Sequence, residues 1–91
     1  MDLSGCRKLK SIGSLKYVGR FLDLAETAVT SLDELEHVGG DLWIEDTEIS
    51  SFGKLKYVGE DLILSKILLY EKYTEEEIRN QIDVIGKIIK R

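Results

Sequence analysis

The side chains that most often carry catalysis or bind metals are sparse in this 91-residue chain. Cys6 is its single cysteine and His37 its single histidine, and they occupy different positions of a 20-residue sequence period. A nucleophilic cysteine needs a general base within hydrogen-bonding reach, and a zinc site needs several His, Cys or carboxylate ligands together. No Ser-His-Asp set, cleft-forming pair of carboxylates or glycine-rich phosphate loop can be assembled either. The sequence therefore predicts a protein that is not an enzyme and that binds no metal and no cofactor.

Composition and charge narrow the class of protein further. Hydrophobic residues make up 43% of the chain and charged residues 33%, values typical of a folded protein. The net charge of −4 argues against binding to nucleic-acid phosphates. The sequence has no apolar run approaching the ~20 residues that cross a bilayer, no secretory signal pattern and no second cysteine for an internal disulfide. These features predict a soluble cytoplasmic protein with no nucleic-acid or membrane partner.

The sequence repeats itself with a period of 20 residues. The pentapeptide Leu15–Gly19 recurs unchanged at Leu55–Gly59, and Leu35–Gly39 keeps the same apolar and glycine positions halfway between them. A fixed period of this length indicates stacked supersecondary units rather than one layered core. The predicted units, within a single domain, cover residues 1–20, 21–40, 41–60 and 61–70, and a predicted cap covers 71–91.

The first half of each unit predicts a short strand followed by a bend. Apolar residues two positions apart indicate a strand with one buried face. These positions are Leu22 and Leu24, Leu42 and Ile44, and Leu62 and Leu64. A small residue follows at the bend in the first three units: Cys6, Thr27 and Thr47. We predict that Cys6 is buried there.

The second half of each unit carries apolar residues three positions apart, as in Leu32, Leu35 and Val38. This spacing predicts a helical or 3₁₀ turn, and Ser31 with Glu34 three residues later has the form of a helix capping box. A glycine at the end of the unit predicts either a positive φ or a close approach between backbones. The glycines at this position are Gly19, Gly39 and Gly59.

The residues after the last unit predict a helix and a final strand. Thr74 and Glu77 match a capping box, so the helix is expected to begin after Thr74. Val84–Lys90 repeats the pattern of Val38–Ile44, which predicts a strand that closes the stack. Three basic residues of this segment are expected to discourage further stacking: Lys87, Lys90 and Arg91.

The pattern from Leu35 to Phe52 resembles the leucine-rich repeat family, in a Val-Gly-Gly-Asp-Leu variant found in uncharacterised bacterial and bacteriophage proteins. In that family a side chain three residues after the strand bonds the loop backbone. The resemblance assigns this role to Cys6, Thr27 and Thr47, and Ile67 departs from it. It covers essentially the whole chain and implies an α/β fold: a short solenoid of about four 20-residue units with one parallel sheet, a C-terminal capping helix and a final strand. It also implies contacts with other proteins, without indicating which ones.

Strand residues that point away from the core are predicted to form an exposed binding face. An exposed tryptophan within an acidic rim is typical of a protein-binding hot spot, and Trp43 lies at the centre of this face. The predicted binding residues are Phe21, Asp23, Asp41, Trp43, Glu45, Asp61 and Ile63. The alternative is that Trp43 only packs along the sheet or beneath the capping helix. A similar choice holds for Tyr17, His37 and Tyr57, which form either a second docking strip or a shielding surface stack.

The chain begins within the predicted strand of its first unit, so this end of the stack is expected to expose apolar side chains. Either the chain is part of a longer array, or a second copy covers this end through Met1, Leu3, Leu9 and Ile12. Two functions follow: a non-catalytic module that binds another protein through its strand face, or an assembly unit that forms homodimers. A sharper form of the first is a phage-encoded inhibitor that covers a basic surface of a host protein in the host cytoplasm.

Overall fold

The computed structural model describes residues 1–65 and 73–91. These residues form an α/β fold with eight short strands in two parallel sheets and one helix. The first sheet contains β1 (Tyr17–Val18), β3 (His37–Val38), β5 (Tyr57–Val58) and β7 (Asp83–Val84). The second contains β2 (Leu22–Asp23), β4 (Leu42–Trp43), β6 (Leu62–Leu64) and β8 (Ile88–Lys90). The helix α1 (Glu75–Gln81) precedes β7 in the chain.

Both sheets align equivalent positions of successive units. In the second sheet Leu22 pairs with Leu42, and Leu42 pairs with Leu62, so these strands are offset by 20 residues. The pairing continues from Leu62 to Ile88, and the longer connection there includes α1. The strand positions predicted from the period and the predicted final strand are therefore confirmed.

The prediction of a single sheet is wrong, because the second half of each unit is also extended. Leu32 and Leu35 are both buried, but a β-turn joins them, and the Leu35 amide donates to the Leu32 carbonyl oxygen at 3.0 Å. A β-turn bonds residues three apart, as a 3₁₀ turn does, so the sequence spacing fits both. Asp33 in this turn has a left-handed φ of 50°, which a right-handed helix cannot continue through, and the chain then enters β3.

The side chains of this turn also differ from the predicted capping box. Ser31 Oγ accepts the Asp33 amide at 3.2 Å and donates to the Asp33 carboxylate at 2.7 Å. Glu34 forms an ion pair with Lys54 in the next unit, at 2.6 Å, instead of capping a helix. The predicted box at Ser31 and Glu34 is therefore wrong, and a serine turn takes its place.

Apolar side chains between the two sheets form the core, in columns that run through the units. Two of these columns consist of Leu22, Leu42 and Leu62, and of Leu24, Ile44 and Leu64. Thr27 and Thr47 are buried beside them, and their hydroxyls donate to the carbonyl oxygens of Leu24 and Ile44 at 2.8 Å. These bonds satisfy the polar groups inside the core. Cys6 takes the same place in the first unit but is exposed, so its predicted burial is wrong.

The backbones of neighbouring units approach closely along the glycine column. A Cβ on Gly59 would overlap the carbonyl oxygen of Gly39 and lie 2.8 Å from its carbonyl carbon. A Cβ on Gly39 would overlap the Gly19 carbonyl oxygen in the same way. The amides of Gly39 and Gly59 donate to the carbonyl oxygens of Val18 and Val38 at 2.7 and 2.8 Å. Close backbone approach, and not a positive φ, is therefore what requires glycine at these positions.

The helix α1 begins as the sequence predicts. Thr74 Oγ1 accepts the Glu77 amide at 3.1 Å, and the Glu77 carboxylate accepts the Thr74 amide at 3.0 Å, which completes the capping box. Arg79 on this helix donates to the carbonyl oxygens of Val84 at 2.9 Å and Gly86 at 3.0 Å. The helix thus holds the connection between β7 and β8. In the described part of the chain, no helix has the length and apolarity needed to cross a bilayer.

Some sequence predictions concern residues 66–72 and lie outside the described residues. They are the end of the fourth unit at 66–70, the departure of Ile67 from the position that Thr27 and Thr47 occupy in earlier units, and the first two residues of the predicted cap at 71–72.

The carboxylate of Asp33 joins two units, and its protonation is expected to weaken the fold. It accepts hydrogen bonds from the hydroxyls of Ser31 (2.7 Å) and Ser11 (2.9 Å) and from the Ile12 amide (3.2 Å). The Ser31 bond, followed by the Ser11 bond, holds the pKa of Asp33 below its ordinary value of 3.8. Because the folded-state pKa is lowered, this stability is present above the unfolded pKa and is lost as the pH falls through the folded value. We therefore expect Asp33→Asn to flatten the loss of stability below about pH 4, measured by urea unfolding across an acid pH series.

Asp46→Asn is the matched control for this prediction. Asp46 is exposed and has a similar φ of 55°, and asparagine tolerates this left-handed conformation. The control removes a carboxylate outside the Asp33 network, and Asp33→Asn should show a flatter acid slope than this control. The same slope in Asp33→Asn and the wild type would contradict the role assigned to Asp33.

Candidate protein-binding site

Trp43 lies on the outer face of the second sheet, on one of its inner strands. Its chain neighbours Leu42 and Ile44 are buried, so the alternation of the strand directs the Trp43 side chain away from the core. Trp43 pairs in register with Asp23 on one side and with Ile63 on the other. The 20-residue period predicts this alignment, because the three residues lie 20 positions apart. The indole is partly exposed, so part of it is available for contact.

A shallow groove lies on one side of the Trp43 indole. Phe21 and Trp43 supply its apolar walls, and Phe21 is 42% exposed. Gly19, Gly39 and Gly40 also line it. Its charged lining residues are Arg20, Asp23, Asp41 and Glu60. This groove therefore combines an aromatic contact surface with a mainly acidic border.

A second groove, on the other side of the indole, carries more acidic charge. Ser4, Ala25 and Trp43 line it together with four carboxylates. The four are Asp23, Glu26, Glu45 and Asp46. An indole flanked by carboxylates suits a ligand that combines apolar and positively charged groups.

A positive charge of the chain itself already lies against this site. The guanidinium carbon of Arg91 is 5.2 Å from the centroid of the Trp43 ring, within the range of a cation–π contact. Its Nη1 lies 3.5 Å from Glu45 Oε1. The Arg91 amide donates to the Leu64 carbonyl oxygen at 2.8 Å, directly after β8. Trp43 is therefore covered in part by a cation that comes from the far edge of the same sheet.

Three of the acidic residues also bond the backbone. Asp41 Oδ1 accepts the Asp61 amide, and Asp61 Oδ1 accepts the Lys87 amide, both at 2.8 Å. Asp23 Oδ1 accepts the Ala25 amide at 3.0 Å. The carboxylates of Asp41 and Asp61 thus connect successive units and contribute to the fold. Asp41 also belongs to the acidic border, whereas Asp61, a predicted binding residue, lines neither groove.

The structure brings together most of the predicted binding residues. The two grooves contain Phe21, Asp23, Asp41, Trp43 and Glu45. Ile63 is only 2% exposed, so its predicted place on the surface is wrong. Strand alternation shows which way a side chain points but not what lies over it. Ile63 pairs in register with Trp43 on β4 and with Ile89 on β8, so a large side chain lies on each side of it.

Sequence reasoning missed several residues that line the grooves or touch Trp43. They are Arg20, Glu26, Glu60 and Arg91. For Arg91 the sequence does contain a signal. Ile89 and Trp43 occupy equivalent strand positions, because each pairs in register with Ile63. Arg91 lies two residues after Ile89, and Glu45 lies two residues after Trp43, so Arg91 and Glu45 are also equivalent positions. The other three are bend or corner residues, where the period does not specify the direction of a side chain.

The first unit presents apolar side chains beside the edge strands β1 and β2 of the two sheets. Met1 is 49% exposed, and the other predicted contact residues, Leu3, Leu9 and Ile12, are partly buried against the core. The corresponding residues of the second unit are fully buried: Leu24, Val29 and Leu32. This end of the first unit is therefore an apolar surface separate from the grooves beside Trp43.

Tyr17, His37 and Tyr57 stack on one another along the first sheet. The centroid of the His37 ring lies 4.3 Å from that of Tyr17 and 4.5 Å from that of Tyr57, with interplanar angles of 10° and 12°. Each ring shields the next, which is the surface stack considered from the sequence. Such contacts between facing strands stabilise their pairing.

Comparison with protein-family models, with curated proteins and with solved structures finds no match to this chain. Within residues 1–65 and 73–91, no cluster of three or more His, Cys, Asp or Glu side chains is placed to hold a metal ion. The site is thus characterised by its own geometry: a tryptophan between two shallow grooves, bordered by carboxylates and in contact with one guanidinium.

Proposed function

We propose that this chain is a non-catalytic protein-protein interaction module that binds a partner through the Trp43 face, formed by Phe21, Asp23, Asp41, Trp43 and Glu45. In this proposal the chain is a short solenoid of the leucine-rich repeat type, in which each 20-residue unit adds one strand to each sheet. This architecture is supported by the strand register and by the hydrogen bonds that the Thr27 and Thr47 hydroxyls donate to the backbone. Proteins built in this way bind partners through their extended outer surfaces.

The partly exposed indole of Trp43 is the observation that carries the proposal. Tryptophan is enriched in interface hot spots because it buries a large apolar surface with few rotatable bonds. Here β4 pairs with a strand on each side, and the flanking residues Leu42 and Ile44 are anchored in the core. The indole is therefore held in place before a partner arrives, which reduces the entropy cost of binding.

The charge of the Trp43 face favours a partner with a basic surface. Carboxylates predominate in both grooves, and the chain carries a net charge of −4. Charge complementarity of this kind speeds association and weakens as salt is added. A phage-encoded inhibitor that covers a basic surface of a host protein in the host cytoplasm is one function of this class.

Trp43→Ala is expected to weaken partner binding at least roughly 30-fold, because a hot-spot tryptophan contributes about 2 kcal/mol or more. Ligands are obtained by selecting a random peptide library on the immobilised wild-type chain. Their dissociation constants for the wild type and the variant are then measured by calorimetry at low and at high salt. The acidic grooves predict that the affinity for the wild type falls as the salt concentration rises.

Tyr17→Ala is the matched control for the Trp43 variant. Tyr17 is also an exposed aromatic residue, at 65%, but it lies on the first sheet. Its replacement should leave the ligand affinities at the wild-type values. Ligands that bind Trp43→Ala as tightly as the wild type would place the interface elsewhere and contradict the proposal.

A second candidate function is self-assembly through the apolar end of the first unit. The exposure of Met1, beside the partly buried Leu3, Leu9 and Ile12, favours it. A second copy that covers this end would remove those side chains from water. Sedimentation at high micromolar concentration distinguishes the two candidates. A dimer that Leu9→Lys dissociates supports self-assembly, and a monomer removes it.

A further inference from the structure

Two contacts with different physical origins hold Arg91 against the Trp43 face. Its guanidinium carbon lies 5.2 Å from the centroid of the Trp43 ring, whose π-electrons attract a cation. Its Nη1 lies 3.5 Å from Glu45 Oε1, which adds an ion pair. A guanidinium is recognised in two ways, by stacking of its plane on an aromatic ring and by carboxylates at its edge. Trp43 and Glu45 supply both kinds of group.

Glu45 and Trp43 form the more buried side of this contact. The Glu45 side chain is 21% exposed, and Trp43 belongs to an inner strand of the sheet. The Arg91 side chain is 53% exposed. The carboxylate and the indole are therefore a preformed receptor, and the guanidinium is the exposed member that can leave it.

Acidic charge extends this receptor beyond one cation. Glu26 lines the same groove as Glu45 and forms an ion pair with Arg7 at 3.2 Å. Arg7 and Arg91 come from opposite ends of the described chain, yet both guanidinium groups meet carboxylates of this groove. A ligand with two spaced basic residues would match the same carboxylates.

We propose that Trp43 and Glu45 form a binding site for an arginine side chain of a basic peptide segment, and that Arg91 occupies this site in the free chain. This inference rests on the proposed function, because it assigns the chemistry of the partner that binds the Trp43 face. An arginine of the partner replaces Arg91 on the indole, and the Arg91 side chain moves into solvent. Lysine is a weaker ligand, since its ammonium group has no planar surface to stack on the ring.

Occupancy by Arg91 lowers the apparent affinity for the partner, because only the open fraction of the chain can bind. The Arg91 side chain is the exposed partner of both the ion pair and the cation–π contact, and contacts of an exposed cation are weak, so a partner can displace Arg91. Taken together, these contacts predict that removing the Arg91 side chain tightens arginine binding roughly 5-fold.

The test uses the full chain and the fluorescence of Trp43, its single tryptophan. The wild type and Arg91→Ala are titrated with an acetylated and amidated Gly-Arg-Gly-Arg-Gly peptide, and with the same peptide carrying citrulline in place of arginine. We expect both proteins to bind the arginine peptide, with Arg91→Ala binding roughly 5-fold more tightly, and neither to bind the citrulline peptide. Glu45→Gln is expected to weaken arginine binding.

Lys87→Ala is the charge-matched control, because it removes one positive charge next to the start of β8 and should bind as the wild type does. Equal affinities of the wild type and Arg91→Ala would overturn occupancy by Arg91. Binding of the citrulline peptide, or no binding of the arginine peptide, would overturn the arginine site. Library ligands that depend on Trp43 but contain no arginine would also overturn this site and leave the proposed interaction face intact. Ligands that bind without any dependence on Trp43 would instead remove the proposed function.

Discussion

Replacing Gly59 by alanine is expected to destabilise the fold by about 3 kcal/mol or more. The added Cβ would overlap the carbonyl oxygen of Gly39, which belongs to the backbone and cannot rotate away. The Gly59 amide donates to the Val38 carbonyl oxygen at 2.8 Å, so moving the two units apart would break a hydrogen bond between them. Equilibrium unfolding in urea, followed through the emission of Trp43, measures the change in the free energy of unfolding.

Gly19→Ala is the control within the same column. A Cβ on Gly19 would lie 3.7 Å from Tyr17 Cε1, which is an ordinary van der Waals contact. Its stability should therefore change by less than about 0.5 kcal/mol. Equal losses in Gly19→Ala and Gly59→Ala would show that close backbone approach is not the reason for glycine in this column.

Phe52→Ala is expected to cost about 3–5 kcal/mol of stability, the range for a buried phenylalanine. Phe52 is 1% exposed and is the largest of the fully buried side chains among the described residues. Its ring centroid lies 5.6 Å from that of Tyr73, the residue before the helix cap. The truncation therefore opens a cavity between the units and the start of α1. Urea unfolding measures this loss as well.

Phe21→Ala is the matched control, because the chain contains two phenylalanines and this one is 42% exposed. Its stability is expected to change by less than about 1 kcal/mol. A loss in Phe21→Ala as large as that in Phe52→Ala would mean that burial does not explain the cost. The two variants thus separate a residue of the core from a residue of the Trp43 face.

The strand register could be predicted because residues 20 positions apart have equivalent surroundings in neighbouring strands. Leu22 and Leu42 align in the sequence and pair in register in the second sheet. A buried threonine hydroxyl needs an acceptor, which the strand-end carbonyl supplies to Thr27 and Thr47. The capping box at Thr74 is a local feature, so a few consecutive residues were enough to predict it.

The prediction of a single sheet was wrong because one spacing fits two local structures. Leu32 and Leu35 are three residues apart, as in a helical turn, yet a β-turn with Asp33 at a φ of 50° joins them. Aspartate tolerates this left-handed conformation without requiring it, so the residue type leaves both structures open. The pairing of His37–Val38 with neighbouring units shows that this segment is extended.

The positions of the residues around Trp43 were predicted in part. The period places Trp43 on the outer face, with Asp23 beside it in the ladder. It also gives Ile63 an outward position, but that side chain is buried. A sequence period describes the direction of a side chain relative to its own sheet. It does not determine how much of that side chain the neighbouring side chains bury, as Trp43 and Ile89 flank Ile63 here.

By itself the sequence determined the 20-residue strand register, the buried apolar columns, the glycine column and the capped helix. Each of these depends on residue type and on contacts within a unit or with the adjacent unit. Only the tertiary structure decided that there are two sheets among the described residues and that Arg91 lies over Trp43. The period places Arg91 in the column of Glu45, but the direction of its long side chain depends on the charge and the aromatic surface that it meets after folding.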